Sequence, residues 1–549
     1  MIPTKETLSV EFKSDRRTLG DSIIVDEVVA LSNSEGGDLY IGIEDDGEIT
    51  GAQPAHRDPI RVAAMVANKT VPPVSVRAEV LAKKFPVMHI EVPRSRSIVA
   101  TSNGRILRRR IKSDGMPESV PMYPYEIATR LSDLGRLDYS AQPVVDATCD
   151  DFDSLELARL RRLVQTSRGG DRALLELADD ELERALKLTT RVGEKEVPTL
   201  AGLLMVGKAE SLERLVPTHE AVFQVLEGTD IRANESYRQP LLYTIEDIIA
   251  RVEPWNPVTE VQIGLLSQPT PLYDRRALRE AIVNAFGHRD YSVLGRVRVQ
   301  MDDAGLLVNN PGGFIEGISV RNLLSAEPQG RNPCLMDALK RVGLAERTGR
   351  GIDRIYEGSL LYGRPLPDYS ASNQTMVSLF IERSEPDAEF VQLLAEERDR
   401  GTDLPLQSLL VLDALKRSRR CGVAELSEMV DVPRQRLKRT VELLCEAGLV
   451  EASGGGQNRS YMLSKKVYGH GGKAKEYVRQ TDIDRVRYPE LIMKLARQQG
   501  RVTVSDVREL LHLPDGNAAY YELKKLKEHG ELTLVKRGPR SFYVPATIR

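Results

Sequence analysis

Three polar side chains recur at helical spacing a little past the middle of the chain. Apolar residues in Leu278–Ser292 (LREAIVNAFGHRDYS) recur every three or four positions, which predicts an amphipathic helix. Glu280, Asn284 and His288 stand at i, i+4 and i+8 and therefore line another face of that helix. A carboxylate and an amide one turn apart suit a divalent cation with its triphosphate, because Asn supplies an oxygen ligand and Glu can activate a water. A solvated polar face, with Glu280 paired to Arg276 or His288, is the alternative.

Two glycine segments follow this predicted helix. Pro311-Gly312-Gly313 closes a predicted strand at Leu306–Asn310, and Gly349-Arg350-Gly351 opens a second predicted helix. Glycines at a helix start expose backbone N–H groups, which bind phosphate oxygens. One G-x-G is weak evidence, but the helix, the Pro-Gly-Gly strand end and the G-x-G in this order favour a nucleotide site.

Carboxylates also gather near the N-terminus, at Glu6, Glu11 and the run Glu44–Asp46. Carboxylates around one point could hold Mg²⁺ or Mn²⁺ for phosphodiester cleavage. The strand RILRRRIK, which contains Arg108, Arg109 and Arg110, would then hold the nucleic-acid backbone. A solvated hairpin tip is the alternative for Glu44–Asp46, because acidic residues are common in turns.

The elements that must position these carboxylates form a predicted α/β domain over residues 1–135. We expect strands at Val10–Lys13, Asp38–Ile43 and Val87–Val92, with a helix at Ser22–Leu31. The Asp45-Asp46-Gly47 turn predicts a hairpin after the second strand. Gly36-Gly37 predicts a tight connection with unusual backbone angles.

The motifs E-x4-E-F-K (Glu6 to Lys13) and ALSNSEGGDLYIGIEDDGEITG resemble the AlbA-like domain of the Schlafen family over roughly residues 1–130. In Schlafens with ribonuclease activity, three acidic residues bind the catalytic metal. The resemblance places them on Glu6, Glu11 and Asp45, and Lys13 matches the motif lysine. It implies one of two functions: an Mg²⁺- or Mn²⁺-dependent ribonuclease, with tRNA as the implied substrate, or a DNA-binding regulator, as many prokaryotic relatives are described.

The segments REAIVNAFGHRDY, NNPGG and RNP ahead of ERTGRGI resemble a divergent GHKL (Bergerat) ATP-binding fold over about residues 195–385. The resemblance implies that Asn284 ligates Mg²⁺, Glu280 activates water and Gly349 to Gly351 cradle phosphate. Asn309 and Asn310 stand where typical members have an adenine-binding aspartate, which leaves adenine preference and hydrolysis open. The full set implied for the site is Glu280, Asn284, His288, Asn310, Gly312, Gly313, Gly349, Arg350 and Gly351.

The C-terminal third predicts two winged helices, at residues 405–465 and 485–549. Arg434–Ala447 is the recognition-helix candidate, and a Gly454–Gly456 wing follows it. Winged helices also mediate protein contacts, but residues 405–549 hold 27 Lys and Arg against 17 Asp and Glu, a net charge of +10. That charge favours nucleic acid. The residues expected to contact it here are Arg434, Arg436, Lys438, Arg439, Lys524, Lys536 and Arg537.

Composition bounds the class of protein. With 549 residues, 41% hydrophobic and 29% charged, a multidomain globular protein is expected. No apolar run or signal core is present, so we expect a cytoplasmic protein without membrane contact. Four cysteines without C-x-x-C spacing argue against a disulfide framework or a structural zinc site.

The sequence therefore predicts an AlbA-like α/β domain (1–135), a linker (137–151), a helical connector with a GHKL-like α/β sandwich (151–385), and two winged helices. The first functional hypothesis is a metal-dependent endoribonuclease gated by ATP or another nucleotide. The alternative is an ATP-responsive DNA-binding transcription regulator without catalysis, and a GHKL ATPase is a third hypothesis. The expected partners are RNA or DNA and a second copy of the chain, since GHKL relatives make a dimer reasonable.

Overall fold

The computed structural model describes residues 2–81, 84–112, 114–263, 266–346, 348–401, 403–418, 420–453, 459–464, 467, 488–511, 516–535 and 541–546. Its contacts divide the chain into two compact units. The first comprises Met1–Trp255, Arg276–Ile352 and Pro367–Arg383, and the second comprises Asn256–Arg275, Asp353–Leu366 and Ser384–Arg549.

The N-terminal part of the first unit is an α/β domain built on a four-stranded sheet. The sheet has the order β1-β2-β5-β4, with β1 and β2 parallel and the other pairs antiparallel. The strands are β1 (Val10–Lys13), β2 (Gly37–Ile41), β3 (Thr70–Val71), β4 (Arg77–Leu81), β5 (Val87–Val92), β6 (Ala100–Thr101), β7 (Leu107–Ile111) and β8 (Pro117–Pro121). The helices are α1 (Asp21–Asn33), α2 (Pro59–Lys69) and α3 (Pro124–Asp133).

Helix α1 organises this domain because nearly all of its length is buried. Its apolar side chains form one core with β2 and β5. At its end, the Asn33 amide donates to the carbonyls of Val99 (2.8 Å) and Leu107 (2.9 Å), which fixes β7 against the helix. The tight connection predicted at Gly36-Gly37 is confirmed: a Cβ on Gly37 would lie 2.0 Å from the Ser9 carbonyl oxygen.

The hairpin predicted at Asp45-Asp46-Gly47 is wrong in its extent. A single bridge joins Ile43 to Ile49, and β2 pairs instead with β1 and β5. The turn is held locally, because the Glu44 N–H donates to the Glu48 carbonyl (2.9 Å) and Gly47 adopts a φ of +87°.

The first unit also contains a second sheet, with the strand order β12-β11-β15-β16-β17. β11 and β15 run parallel and the other pairs are antiparallel. Along residues 137–383 the strands are β9 (Thr189–Val192), β10 (Lys195–Pro198), β11 (Ala221–Glu227), β12 (Asp230–Tyr237), β13 (Val258–Ile263), β14 (Leu266–Pro271), β15 (Val297–Met301), β16 (Gly305–Pro311) and β17 (Met376–Glu382). The helices are α4 (Ser154–Thr166), α5 (Asp179–Ala185), α6 (Leu200–Val206), α7 (Ala209–Leu215), α8 (Leu241–Val252), α9 (Arg275–Gly287), α10 (Pro333–Val342) and α11 (Gly351–Leu360).

The segment predicted as a linker, 137–151, is packed against α10 rather than extended in solvent. The Asp138 carboxylate accepts the Cys334 N–H (2.7 Å), and the Ser140 hydroxyl accepts the Leu335 N–H (3.1 Å). These bonds satisfy N–H groups at the start of α10, which have no partner within the helix.

In the second unit, β13 and β14 form a hairpin, and two segments repeat one order of elements. The first contains α12 (Ala388–Asp399), α13 (Leu406–Ser418), β18 (Arg420–Gly422), α14 (Val423–Val430), α15 (Arg434–Glu446), β19 (Val450–Ser453) and β20 (Ser460–Leu463). The second contains α16 (Tyr488–Gln499), α17 (Val504–Leu510), α18 (Gly516–Glu528), β21 (Leu532–Val535) and β22 (Phe542–Pro545). Val502 pairs with Tyr543 where the first segment has β18. The predicted glycine wing at 454–456 and the loop at 536–540 lie outside the described residues.

Among the helices that the structure describes, none combines the length and the apolar character that a membrane span requires.

Candidate functional site

The structure brings the polar face of α9 to the start of α11. Glu280 is buried and Asn284 half-buried on α9. A Cβ added to Gly351 would lie 2.7 Å from Glu280 Oε2 and 3.4 Å from Asn284 Nδ2. Gly351 therefore lies beside two residues that stand about 70 positions earlier in the sequence. Because a side chain at Gly351 would collide with the Glu280 carboxylate, glycine at this position lets the start of α11 lie against α9.

At Gly349, a side chain is excluded by the backbone conformation and by the neighbouring Pro328. The φ of Gly349 is +76°, and a Cβ there would lie 2.4 Å from Pro328 Cγ. Arg350, between the two glycines, is exposed. The segment thus combines two positions that exclude side chains with one solvent-facing cation.

Gly312 and Gly313 serve packing through their backbone N–H groups. Gly312 N–H donates to the Thr375 carbonyl (2.8 Å) and Gly313 N–H to the Gln374 carbonyl (3.2 Å). Both N–H groups are therefore already bonded within the protein and are not available as donors to phosphate. They tie the end of β16 to the segment before β17.

His288 lies one residue beyond the end of α9, although its N–H still donates to the Asn284 carbonyl (2.9 Å). Burial lowers its pKa to about 4, and the positive charges of Arg331 and Lys340 add to the effect. The imidazole is therefore neutral at neutral pH. Asn310 is buried on β16, where its amide lies 3.4 Å from the Pro311 carbonyl oxygen.

Arg331 connects the nucleotide-site candidate to the N-terminal domain. Its side chain is buried, and its guanidinium donates to the Asp133 carboxylate on α3 and to the Gly313 carbonyl (3.2 Å). Nearby, the Thr129 hydroxyl of α3 donates to Asp290 Oδ2 (3.2 Å). Helix α3 therefore ends in direct contact with residues that flank α9 and β16.

In the N-terminal domain, Glu11 is part of a closed network of charges. It is buried, and its two oxygens face the Lys13 ammonium and the Arg109 guanidinium (2.5 Å). Glu27 on α1 pairs with the same two cations, at 3.3 Å and 3.4 Å. Burial, followed by the charge of Glu27, raises the pKa of Glu11.

The other two predicted metal ligands are placed differently. Glu6 Oε1 accepts the Phe12 N–H (2.9 Å), and Asp45 is exposed in its turn. In the part of the chain that the structure describes, no group of three or more His, Cys, Asp or Glu side chains is arranged to hold a metal ion. Lys13 and Arg109 already balance the two buried carboxylates, so this arrangement does not fit a divalent cation.

The basic strand β7 is largely neutralised within its own domain. Arg109 is buried by Glu11 and Glu27, so it does not present a phosphate-binding group at the surface. Arg108 pairs with Glu126, and Arg110 pairs with Glu118 (2.6 Å) while remaining exposed. Of the three predicted contacts, Arg110 is the most accessible.

The start of α15 presents a cluster of cations. Arg434, Arg436, Lys438 and Arg439 are all exposed, and none forms an ion pair with another residue that the structure describes. Lys524 on α18 is exposed and lies 3.8 Å from Glu528. Lys536 and Arg537 lie outside the described residues.

Sequence reasoning missed several residues that the contacts make important. Arg331 stands in the R-N-P segment, but no role was expected for it, and Asp133 lies on another domain. Glu27 had a usable signal, because a carboxylate on the apolar face of a helix needs a buried partner. Asp133 had no such signal, since its partner Arg331 is 198 positions away in the sequence.

Three family models match parts of the chain. Residues 6–115 match the model described as "Schlafen, AlbA_2". Residues 295–380 match HATPase_c_4, described as "Putative ATP-dependent DNA helicase recG C-terminal", a segment that contains both glycine motifs and excludes Glu280 and Asn284. Residues 130–222 match a domain of unknown function, DUF8451.

The comparison with solved structures shows a shared fold. The crystal structure of the DIP2311 protein from Corynebacterium diphtheriae is similar with a TM-score of 0.51 and 22% sequence identity, over 85% of this chain and 94% of that one. The comparison with curated proteins found no match. The chain therefore carries a Schlafen AlbA_2 domain at its N-terminus and an ATPase-like recG C-terminal segment in its central part.

Proposed function

We propose that the protein is a nucleotide-responsive nucleic-acid-binding protein. The observation that carries the proposal is the approach of Gly351 to Glu280 and Asn284. This approach joins a carboxylate, a side-chain amide and a side-chain-free backbone at one place. The nucleotide site would respond to a nucleoside triphosphate, and the N-terminal domain and the second unit would contact nucleic acid.

The central residues have separate roles in nucleotide binding. The Gly349–Gly351 segment would offer phosphate the N–H groups at the start of α11, Arg350 would supply a cation, and Asn284 would supply an oxygen for Mg²⁺. A bound Mg²⁺ would neutralise phosphate charge. Glu280, buried beside Gly351, would orient a water. With Asn310 where an adenine-binding aspartate is usual, ATP is the first nucleotide to test and GTP the second.

The repeated helical segments of the second unit support nucleic-acid contact. We interpret both as winged helices, with α15 as the recognition helix of the first. The cations at its start are exposed and have no carboxylate partner in the described structure. Phosphate groups would supply that missing charge. We propose the domain boundaries predicted from the sequence, with winged helices at 405–465 and 485–549. We also propose that the protein forms a homodimer.

The test is the salt dependence of nucleic-acid binding. Replacing Arg434 and Arg436 with glutamine should weaken binding to labelled duplex DNA and to structured RNA, and reduce the slope of log K against log salt by about one for each phosphate interaction that the substitutions remove. Fluorescence anisotropy measures both. The control removes the same charge elsewhere in the second unit, with Arg398→Gln and Arg417→Gln, whose side chains are 64% and 54% exposed and face carboxylates. Equal slopes for the two double variants would refute the role of α15.

A metal-dependent endoribonuclease remains the second candidate. It is favoured by the presence of Glu6, Glu11 and Asp45 within the Schlafen AlbA_2 match. It requires the ion pairs of Glu11 with Lys13 and Arg109 to open. Calorimetric titration with Mn²⁺, with Glu11→Gln as the control, and incubation with RNA decide the matter. Saturable Mn²⁺ binding and RNA cleavage that both vanish in Glu11→Gln would establish this candidate.

A further inference from the structure

Two exposed tyrosines form a rigid pair at the start of α3. The rings of Tyr123 and Tyr125 are stacked, with centroids 5.9 Å apart and an interplanar angle of 11°. The two residues are 53% and 50% exposed. Large aromatic surface is usually buried. A parallel pair with half of its surface in water therefore suggests a functional reason.

The backbone holds this pair in place. Tyr123 is the residue before the first turn of α3, Pro124 occupies the first helical position and fixes φ, and Tyr125 follows. The Tyr123 N–H donates to Glu126 Oε2 (2.8 Å), and the other oxygen of Glu126 is paired with Arg108. The backbone that carries the two rings is thus held by a proline, a capping carboxylate and an arginine. Such an arrangement loses little conformational entropy when it binds a ligand.

Cations lie beside the aromatic pair. Arg108 and Arg110 are two residues apart on β7 and so point to the same face of the strand. Arg110 donates a hydrogen bond to Glu118 on β8 (2.6 Å), and Arg108 pairs with Glu126, the same carboxylate that accepts the Tyr123 N–H. The segment 105–125 as a whole contains five Lys or Arg and two Asp or Glu.

We propose that Tyr123 and Tyr125 form a stacking platform for the unpaired bases of single-stranded RNA, with the exposed Arg110 beside the phosphates. Flat π faces bind nucleobases of any sequence, and adjacent cations bind the backbone. RNA recognition commonly uses unpaired bases stacked on aromatic side chains. An aliphatic protein partner fits less well, because guanidinium groups border the rings. The inference rests on the proposed function and names its ligand class for the N-terminal domain.

The test uses the full chain, a labelled single-stranded RNA without self-complementarity, and fluorescence anisotropy. Tyr123→Ala and Tyr125→Ala should each weaken binding about five- to hundredfold, the range for loss of one stacked base. Tyr→Phe at the same positions should retain binding within about twofold, because the π face remains. Tyr→Leu should bind like Ala, since it keeps apolar area without a ring. Thermal melting should show that each variant unfolds at the wild-type temperature, because substitutions of exposed side chains have little effect on folding stability.

Three outcomes would overturn the platform. Leucine variants that bind single-stranded RNA as tightly as wild type would show that stacking plays no part. An equal loss on a fully paired RNA duplex would place the effect elsewhere, and equal or tighter binding of single-stranded DNA would contradict the assignment to RNA. Failure of the proposed function looks different, because wild-type protein would then bind none of these nucleic acids.

Discussion

Gly351 carries the nucleotide site at the scale of single residues. A methyl group on its Cα would lie 2.7 Å from the buried Glu280 carboxylate and 3.4 Å from the Asn284 amide nitrogen of α9, so glycine keeps the start of α11 against α9. Gly312 and Gly313, which the motif also suggested, act through packing because their N–H groups are bonded to the segment before β17. The two glycine motifs thus act differently. Gly351 allows a close approach between α11 and α9, whereas Gly312 and Gly313 bond the end of β16 to the segment before β17.

Gly351→Ala should weaken binding of Mg²⁺-ATP at least about tenfold, or about 1.4 kcal/mol, because its Cβ would lie 2.7 Å from Glu280 Oε2. Isothermal titration calorimetry measures the affinity. Gly20→Ala is the matched control, since a Cβ there meets nothing nearer than 3.7 Å and its φ is −72°. Unchanged ATP affinity in Gly351→Ala would show that the nucleotide lies elsewhere.

Helix α3 is the element that joins the two domains of the first unit. The start of α3 carries the tyrosine pair, and its last turn carries Asp133, which is bonded to Arg331. Arg331 in turn bonds the Gly313 carbonyl at the end of β16. The ten-residue helix α3 therefore connects the proposed RNA platform with the proposed nucleotide site. Such a rigid element can carry coupling when both ends have two arrangements.

Asp133→Asn should reduce the coupling between nucleotide and RNA while both ligands still bind. The change removes the charge opposite the buried Arg331 guanidinium but keeps an oxygen acceptor at the same place. Coupling is measured as the ratio of RNA affinities with and without saturating ATP analogue, and we expect the ratio to fall toward one. Asp179→Asn, which alters an exposed partner of Arg161, is the control. An unchanged ratio in Asp133→Asn would remove α3 from the coupling path.

Much of the fold was accessible to periodicity and turn chemistry. The strands at Val10 and Val87 and the helix of Glu280 stand where apolar spacing places them. The contacts between them were not accessible, because Arg109 and Glu27 are 82 positions apart and Arg331 and Asp133 are 198 apart. A basic strand was expected to face nucleic acid, yet its central arginine is buried by carboxylates from two other elements. Local pattern predicts the elements, whereas pairing of buried charges depends on tertiary packing.

At the scale of the whole molecule, the chain combines a Schlafen AlbA_2 domain, an ATPase-like segment and a basic C-terminal third. The first unit contains the nucleotide-site candidate and the proposed RNA platform. The second contains the exposed cations of α15. We propose that these parts are thermodynamically linked, so that nucleotide binding changes the affinity for nucleic acid. Nucleic-acid binding must then change the affinity for nucleotide by the same factor.

The most direct test measures single-stranded RNA affinity by anisotropy with and without a saturating, non-hydrolysable ATP analogue and Mg²⁺. We predict a change of at least about fivefold, the lower end of typical coupling between sites, and the loss of that change in Gly351→Ala. The same RNA affinity with and without nucleotide, in protein that calorimetry shows to have bound the analogue, would contradict the proposed linkage.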